Sequence, residues 1–169
     1  IECWEIAIKS KNKPSIICLS RQNLPLIRKE KTSTNYSQKG AYIVKDFVNK
    51  KKVILMATGS EVQIALKAGE ILEKKGIGTR VISLPSWELF EEQDEKYKKK
   101  ILPKGTIRIA IEAGIKLGWE KWLHKNSGSQ SKTSFVGMSG FGTSAPEKDI
   151  FDHFKINVDE ICQQAESLI

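Results

Sequence analysis

The sequence predicts an α/β fold, a three-layer sandwich with a mostly parallel five-stranded sheet and one antiparallel edge strand. Over residues 40–169, short apolar runs alternate with stretches of helical periodicity, as in an open sheet with helices on both faces. Residues 53–57 are apolar without interruption, which is typical of a strand buried on both faces. Residues 40–44 precede that strand too closely for a parallel crossover, so we expect them to pair antiparallel or lie at the sheet edge.

The chain before this pattern is different. Trp4, Ala7 and Ile8 share one face of a short amphipathic helix predicted over residues 2–11, which Pro14 stops. The apolar residues 15–19 then predict a buried strand.

Residues 22–39 have no periodicity and are long for an internal loop of a compact domain. We therefore interpret them as an interdomain linker. On this interpretation, residues 1–21 are the end of one domain, and residues 40–169 are a separate and complete α/β domain.

The remaining elements follow in order. Ser60 begins a helix and matches a capping box with Gln63, and Gly76 ends that helix. Further strands are predicted at residues 79–84, 106–111 and 133–138, and further helices at about residues 91–101, 119–125, 146–154 and 158–168.

Composition and charge limit the classes of binding partner that we expect. The chain has 169 residues, 40% of them hydrophobic, and a net charge of +8. Its lysines are spread along the whole chain without interleaved aromatic residues, which indicates a solvated surface rather than a nucleic-acid site. No apolar run is long enough to span a bilayer, so we expect neither a nucleic-acid nor a membrane partner.

The number and spacing of the cysteines and histidines do not predict a metal site. Cys3, Cys18 and Cys162 are odd in number and far apart, which favours reduced thiols and a cytoplasmic protein. The two histidines, His124 and His153, belong to different predicted helices, so a metal site is not expected. The sequence starts without Met or a signal pattern, and we expect it to be a piece of a longer chain.

Three positions in the sequence are candidate binding sites, and each also has a possible structural role. The Thr58-Gly59-Ser60 turn follows a strand and precedes a helix, where backbone N–H groups can hold an anion, although an ordinary helix cap is the favoured interpretation. Glu112 ends a predicted strand at the edge where α/β sheets bind ligands, and could equally bind backbone or a neighbouring domain. The loop of residues 141–146 precedes a helix that Thr143 or Ser144 could cap.

Arg21 is the remaining candidate. It directly follows the apolar run and Ser20, in a chain that has only four arginines. A guanidinium offers two parallel hydrogen bonds, which suit a phosphate or a carboxylate. A substrate phosphate and a structural ion pair are equally consistent with the chemistry.

Several motifs, in order and over nearly the whole chain, resemble the carboxyl-terminal part of transketolase. They are "SRQNLPLI", "KGAYIVKD", "VILMATGSEVQIALKAGEIL", "VISLPSWELFEEQDEKYKKKILP", "RIAIEAGIKLGWEKW" and "FGTSAPEKDIFDHF".

The resemblance implies that residues 1–21 end the pyrimidine-binding middle domain, residues 22–39 are the interdomain linker and residues 40–169 are the C-terminal domain. It implies a homodimeric enzyme of the pentose phosphate pathway that moves a two-carbon ketol unit between sugar phosphates. Thiamine diphosphate and Mg²⁺ (or Ca²⁺) would be bound upstream of this chain. Arg21 matches the family arginine that binds the substrate phosphate.

On the same resemblance we expect no catalytic, cofactor-binding or metal-binding residue in this chain. Alone it would be inactive, and it would contribute packing against the upstream domains and a dimer contact. Two alternatives are a stand-alone α/β module that binds a nucleotide or another anion, and the C-terminal domain of a ketoacid dehydrogenase or deoxyxylulose-phosphate synthase.

Overall fold

A computed structural model describes residues 1–30, 32–125 and 132–169. The strands are β1 (Tyr42–Lys45), β2 (Lys51–Ala57), β3 (Gly78–Ser83), β4 (Ile107–Ile115) and β5 (Thr133–Met138). The helices are α1 (Glu2–Lys9), α2 (Glu61–Lys74), α3 (Trp87–Glu91), α4 (Glu95–Ile101), α5 (Glu120–His124), α6 (Glu147–His153) and α7 (Val158–Ser167), with a 3-10 helix at Tyr36–Lys39.

The strands form one five-stranded sheet in the order β1-β3-β2-β4-β5. β2 pairs parallel with β3 and β4, and β4 pairs parallel with β5. β1 lies at one edge and runs antiparallel to β3, with Tyr42 opposite Ser83. The predicted fold class is therefore confirmed.

Helices cover both faces of the sheet. Side chains alternate along β2, so Val53, Leu55 and Ala57 pack with α2, α6 and α7 on one face. Ile54 and Met56 pack with α3, α4 and α5 on the other. All five side chains are fully buried, which explains why residues 53–57 of β2 are apolar without interruption.

Two buried arginines join the sheet to the connections around it. Arg108 on β4 is fully buried and donates hydrogen bonds to carbonyl oxygens of two separate stretches, residues 102–103 and 122–125. Arg80 on β3 donates to both carboxylate oxygens of Asp46, at 2.8 and 3.1 Å, and to the carbonyls of Lys100 and Ile101. The carbonyls that Arg108 contacts belong to Leu102, Pro103, Trp122, Leu123 and Lys125.

The reversed direction of β1 determines where the chain enters the sheet. We call the side on which β2, β3, β4 and β5 end the carboxyl edge; β1 begins there, because Tyr42 lies opposite the last residue of β3. Gly40, at φ +74°, lies directly against the backbone of α3. A Cβ on Gly40 would come 2.2 Å from the amide nitrogen of Phe90 and 2.3 Å from the carbonyl oxygen of Ser86. Only glycine fits there.

Two predicted elements differ from the structure. Residues 15–19 form no strand, because extended backbone needs a neighbouring strand and the sheet is built entirely from later residues. The helix predicted over about residues 91–101 is present only from Glu95 to Ile101, as α4. α3 ends at Glu91 and α4 begins after Asp94, whose carboxylate accepts a hydrogen bond from the amide of Tyr97 at 2.7 Å.

Candidate functional site at the carboxyl edge

The turn between β2 and α2 forms the centre of the carboxyl edge. Gly59 has φ +52°, and the amide of Glu61 donates to the carbonyl of Thr58 at 3.2 Å. Ser60 occupies the N-cap position but makes no side-chain capping bond; its hydroxyl donates to the Glu61 carboxylate at 2.7 Å. Ser60 therefore takes the predicted N-cap position without the predicted capping bond, because its backbone is helical (φ −65°, ψ −28°) rather than extended as in most capping residues.

Ser20 lies directly over this turn. Its Oγ is 3.8 Å from the position that a Cβ on Gly59 would occupy, so the segment preceding Arg21 passes beside the end of β2. Two regions that are distant in the sequence are thus neighbours in the structure.

The Arg21 side chain is exposed. Over the described ranges, no hydrogen bond or ion pair engages its guanidinium. The structural ion pair considered from the sequence is therefore not formed with any described carboxylate.

Glu61 and Glu112 bring two carboxylates together beside the turn. Glu61 is only 3% exposed. Burial raises its pKa, although hydrogen bonds from Ser60 and the Ala113 backbone oppose the rise. Burial and the nearby Glu61 charge raise the pKa of Glu112 to about 7. The acidic pair makes this turn a poor place for an anion, which argues against the alternative of a nucleotide-binding module.

Glu112 was singled out from the sequence, whereas Glu61 was missed as its partner. Glu147, at the start of α6, also raises the pKa of Glu61. The sequence contains one indication of this role for Glu61, which directly follows the turn between β2 and α2. The structure adds that β2 lies next to β4, the strand that carries Glu112.

The other candidates have structural surroundings. Trp87 and Trp119 pack edge to face with ring centroids 5.2 Å apart. Neither Thr143 nor Ser144 caps α6, since Pro146 occupies the N-cap position without a side-chain bond. Within the described part of the chain, no group of three or more His, Cys, Asp or Glu side chains could hold a metal ion.

A polar cluster that joins α1 to the start of the sheet was not foreseen. One Glu2 carboxylate oxygen accepts from Arg28 at 2.6 Å, and the other accepts from the amide and hydroxyl of Ser37 at 3.0 and 2.8 Å. The Arg28 guanidinium also lies 4.9 and 5.1 Å from the ring centroids of Tyr36 and Tyr42. We call these five residues the Glu2–Arg28 cluster. Sequence patterns miss it because its members are up to 40 positions apart.

None of the helices in the described ranges combines the length and apolar character needed to cross a bilayer.

Comparison with known proteins identifies the protein family. The family described as transketolase-like TK C-terminal domain matches residues 40–157, which include the whole sheet and most of the helices. The chain belongs to the transketolase family.

Curated relatives match nearly the whole chain. It is 48% identical to the transketolase of Rhodobacter capsulatus over 168 residues, which cover 99% of this chain and 25% of that protein. It is 43% identical to the chloroplastic transketolase of Craterostigma plantagineum, covering 98% of this chain and 31% of that protein. The chain thus spans about a quarter to a third of the length of these relatives.

Solved transketolase structures have the same fold. Transketolase from Leishmania mexicana superposes with a TM-score of 0.84 at 35% identity, covering 99% of this chain and 23% of that chain. Pichia stipitis transketolase in complex with sedoheptulose 7-phosphate gives 0.84 at 33% identity, with the same coverage.

Proposed function

We propose that this chain is the carboxyl-terminal portion of a thiamine-diphosphate-dependent transketolase that transfers a two-carbon ketol unit between sugar phosphates in the pentose phosphate pathway. Within that enzyme, Arg21 binds the phosphate group of the substrate. The observation that carries this role is the way the chain uses its arginines.

Arginine occurs at four positions in a chain that otherwise uses lysine. Arg28, Arg80 and Arg108 each contact two or more partners with the planar guanidinium. Arg21 is exposed, and the described residues offer its guanidinium no carboxylate. A phosphate would provide the two parallel acceptors that this group suits. A solved relative that binds sedoheptulose 7-phosphate is consistent with a sugar-phosphate substrate.

Packing against upstream domains is the second part of the proposal. Large apolar side chains at the carboxyl edge and in the segment leading to it are exposed, and upstream domains of the same polypeptide would cover most of them. The same end would contribute to a homodimer contact, with residues 1–21 completing the pyrimidine-binding domain. The exposed side chains are Ile1, Trp4, Ile8, Ile16, Leu19, Leu24, Leu26, Ile115, Leu117 and Phe141.

Thiamine diphosphate and Mg²⁺ (or Ca²⁺) would be held by the upstream part of the enzyme. The described residues do not fit such a group, because they bring no set of three metal ligands together and the chain has no Gly-Asp-Gly motif. No catalytic step is therefore assigned to residues of this chain. A cytoplasmic location completes the proposal, supported by three cysteines that are all free.

Arg21→Ala in the full-length enzyme tests the phosphate role. Losing charge-assisted hydrogen bonds worth about 1.5–3 kcal/mol should raise KM for phosphorylated substrates about tenfold to hundredfold, with a small effect on kcat. Steady-state kinetics with a phosphorylated aldose acceptor and its dephosphorylated counterpart would measure this.

Lys29→Ala is the matched control, since it removes an exposed positive charge from the same segment and should leave both KM values unchanged. An unchanged KM for the phosphorylated acceptor in Arg21→Ala would refute the phosphate role. Separately, the purified chain supplied with thiamine diphosphate and Mg²⁺ should show no ketol transfer, and measurable turnover would contradict the inactive-fragment proposal.

A further inference from the structure

We propose that three buried cations, Arg80, Lys98 and Arg108, hold the helical layer of α3, α4 and α5 on the sheet. When one of them is removed, this layer opens while the layer of α2, α6 and α7 stays closed. The bonds of the three cations to α3, α4 and α5 lie within residues 40–169, so an upstream domain at the carboxyl edge leaves them in place.

The helices of this layer are short. α3, α4 and α5 contain 5, 7 and 5 residues, whereas α2 contains 14 and α7 contains 10. Isolated helices shorter than about 12–15 residues are marginal in water. The last four carbonyl groups of a helix also lack partners within it, and in helices this short they are most of the acceptors. The layer therefore depends on partners from outside its helices.

On the other face of the sheet, α2 and α6 satisfy their last carbonyls with backbone alone. After α2, the amide of Ile77 donates to the carbonyl of Leu72 at 2.9 Å. After α6, the amide of Ile156 donates to the carbonyl of Phe151 at 2.8 Å. In both cases the residue before the donor has a positive φ, which is the Schellman motif. The two residues that follow α3, and the two that follow α4, all have negative φ.

Buried cations take the place of this motif at the ends of α3 and α4. The Lys98 ammonium donates to the carbonyl of Glu91, the last residue of α3, at 2.6 Å. Arg80 donates to the carbonyls of Lys100 and Ile101 at 2.7 and 3.0 Å. Hydrogen bonds from a charged donor are about twice as strong as neutral ones, so a few of them can hold a short helix end.

Arg108 joins α4 to α5. Its Nη2 donates to the carbonyls of Leu102 and Pro103, directly after α4, at 3.3 and 3.2 Å. Its Nη1 donates to the carbonyls of Trp122 and Leu123 in α5, at 3.1 and 3.3 Å. Over the described ranges no carboxylate pairs with this guanidinium. Burial lowers the pKa of Arg108 to about 10, so it remains charged at neutral pH.

The two arginines hold the end of α4 from two strands. Arg80 on β3 and Arg108 on β4 both lie opposite Ile54 of β2, and residues opposite one another in a sheet point to the same face. That face is the one that α3, α4 and α5 cover. Together the guanidiniums bind four consecutive carbonyls, those of residues 100–103.

Loss of one cation affects the two layers unequally. It leaves carbonyls of the α3–α5 layer buried without a donor, which costs more than the net contribution of the bonds themselves. The backbone bonds that end α2 and α6 are untouched. Local opening occurs in the cooperative unit of lowest stability, so the α3–α5 layer opens first.

Arg108→Met is the principal test, because it keeps an unbranched side chain and removes the charge. Amide hydrogen exchange would be followed by mass spectrometry in this chain and in the full-length enzyme. We expect the amides of α4 and α5 to exchange about tenfold to hundredfold faster, and those of α2 to change less than about threefold. Lys99→Met is the matched control, since it removes an exposed charge from α4 and should change neither rate.

Arg80→Lys is a milder second variant, which decides the question if Arg108→Met does not fold. It keeps the charge but cannot bind two carbonyls and both oxygens of Asp46 at once, so α4 should exchange about threefold to tenfold faster with α2 unchanged. Equal acceleration in α2 and α4 would overturn the separate opening of the layer. Unchanged exchange in α4 would overturn the role of the cations.

Discussion

Residues 40–169 and residues 1–39 differ in where their apolar side chains find partners. In the first region the apolar side chains of β2 are fully buried between two helical layers. In the second, Ile16 and Leu19 are 92% and 73% exposed, and polar contacts such as the Glu2–Arg28 cluster hold the chain in place. The difference teaches that an apolar sequence pattern does not by itself determine burial, because the same kind of pattern is buried in the later region and exposed in the earlier one.

The largest expected effect lies at Gly40, where the two regions meet. Gly40→Ala should lower the free energy of unfolding by more than about 4 kcal/mol, because its Cβ would overlap the rigid backbone of α3. Gly76 has a similar φ of +77° but open space around it. Gly76→Ala should therefore cost only about 1–2 kcal/mol of left-handed strain. Equal losses in urea unfolding would contradict the backbone contact at Gly40.

The loss of stability on replacing one leucine in each region compares the two regions directly. Leu55→Ala should cost about 2–5 kcal/mol, since Leu55 is fully buried in β2. Leu19→Ala in this chain should change the stability by less than about 0.5 kcal/mol, since Leu19 is 73% exposed. Thermal or urea unfolding of both variants measures the contrast. A large loss in Leu19→Ala would mean that residues 1–39 share the core of the domain.

A smaller effect than at Gly40 or Leu55 is expected from the pH dependence at Glu112. Its folded pKa of about 7 lies above the ordinary 4.5, so the folded state binds this proton more tightly and its stability falls as pH rises from about 4.5 to 7. Glu112→Gln should therefore stabilise the chain by about 1–2 kcal/mol at pH 8 and have little effect at pH 4. Urea unfolding at the two pH values provides the measurement.

Glu2→Gln is the contrasting control from the first region. The pKa of Glu2 is lowered, so its contribution is present above the ordinary pKa and is lost as pH falls through the lower folded value. The variant should be destabilised by about 1 kcal/mol at neutral pH and not in strong acid. The same sign for both variants at neutral pH would refute the assigned environments.

Much of the domain was predictable because its signals are local. The five strands follow from short apolar runs, and β5 begins and ends where the sequence predicts. The break between α3 and α4 was missed, although Asp94 is a typical N-cap residue, because the charged stretch around it has helical composition. The strand predicted at residues 15–19 could not form without a neighbouring strand.

The candidate site was predictable only in part. Arg21, Glu112 and the Thr58–Ser60 turn were identified from the sequence. The position of Ser20 over Gly59 and the influence of the Glu61 charge on Glu112 were not. Such contacts depend on how the strand ends meet in three dimensions, which no local pattern encodes. The phosphate role of Arg21 and the boundaries of the domains stay predictions.

The reversed direction of β1 also has a practical use. Since the polypeptide comes in at the carboxyl edge, the opposite end of the sheet is remote from the incoming chain. The bend at Val48, which is 80% exposed, and Gly105, with open space around it, lie at that remote end. Fluorophores, affinity tags or surface tethers attached there would leave the carboxyl edge unobstructed.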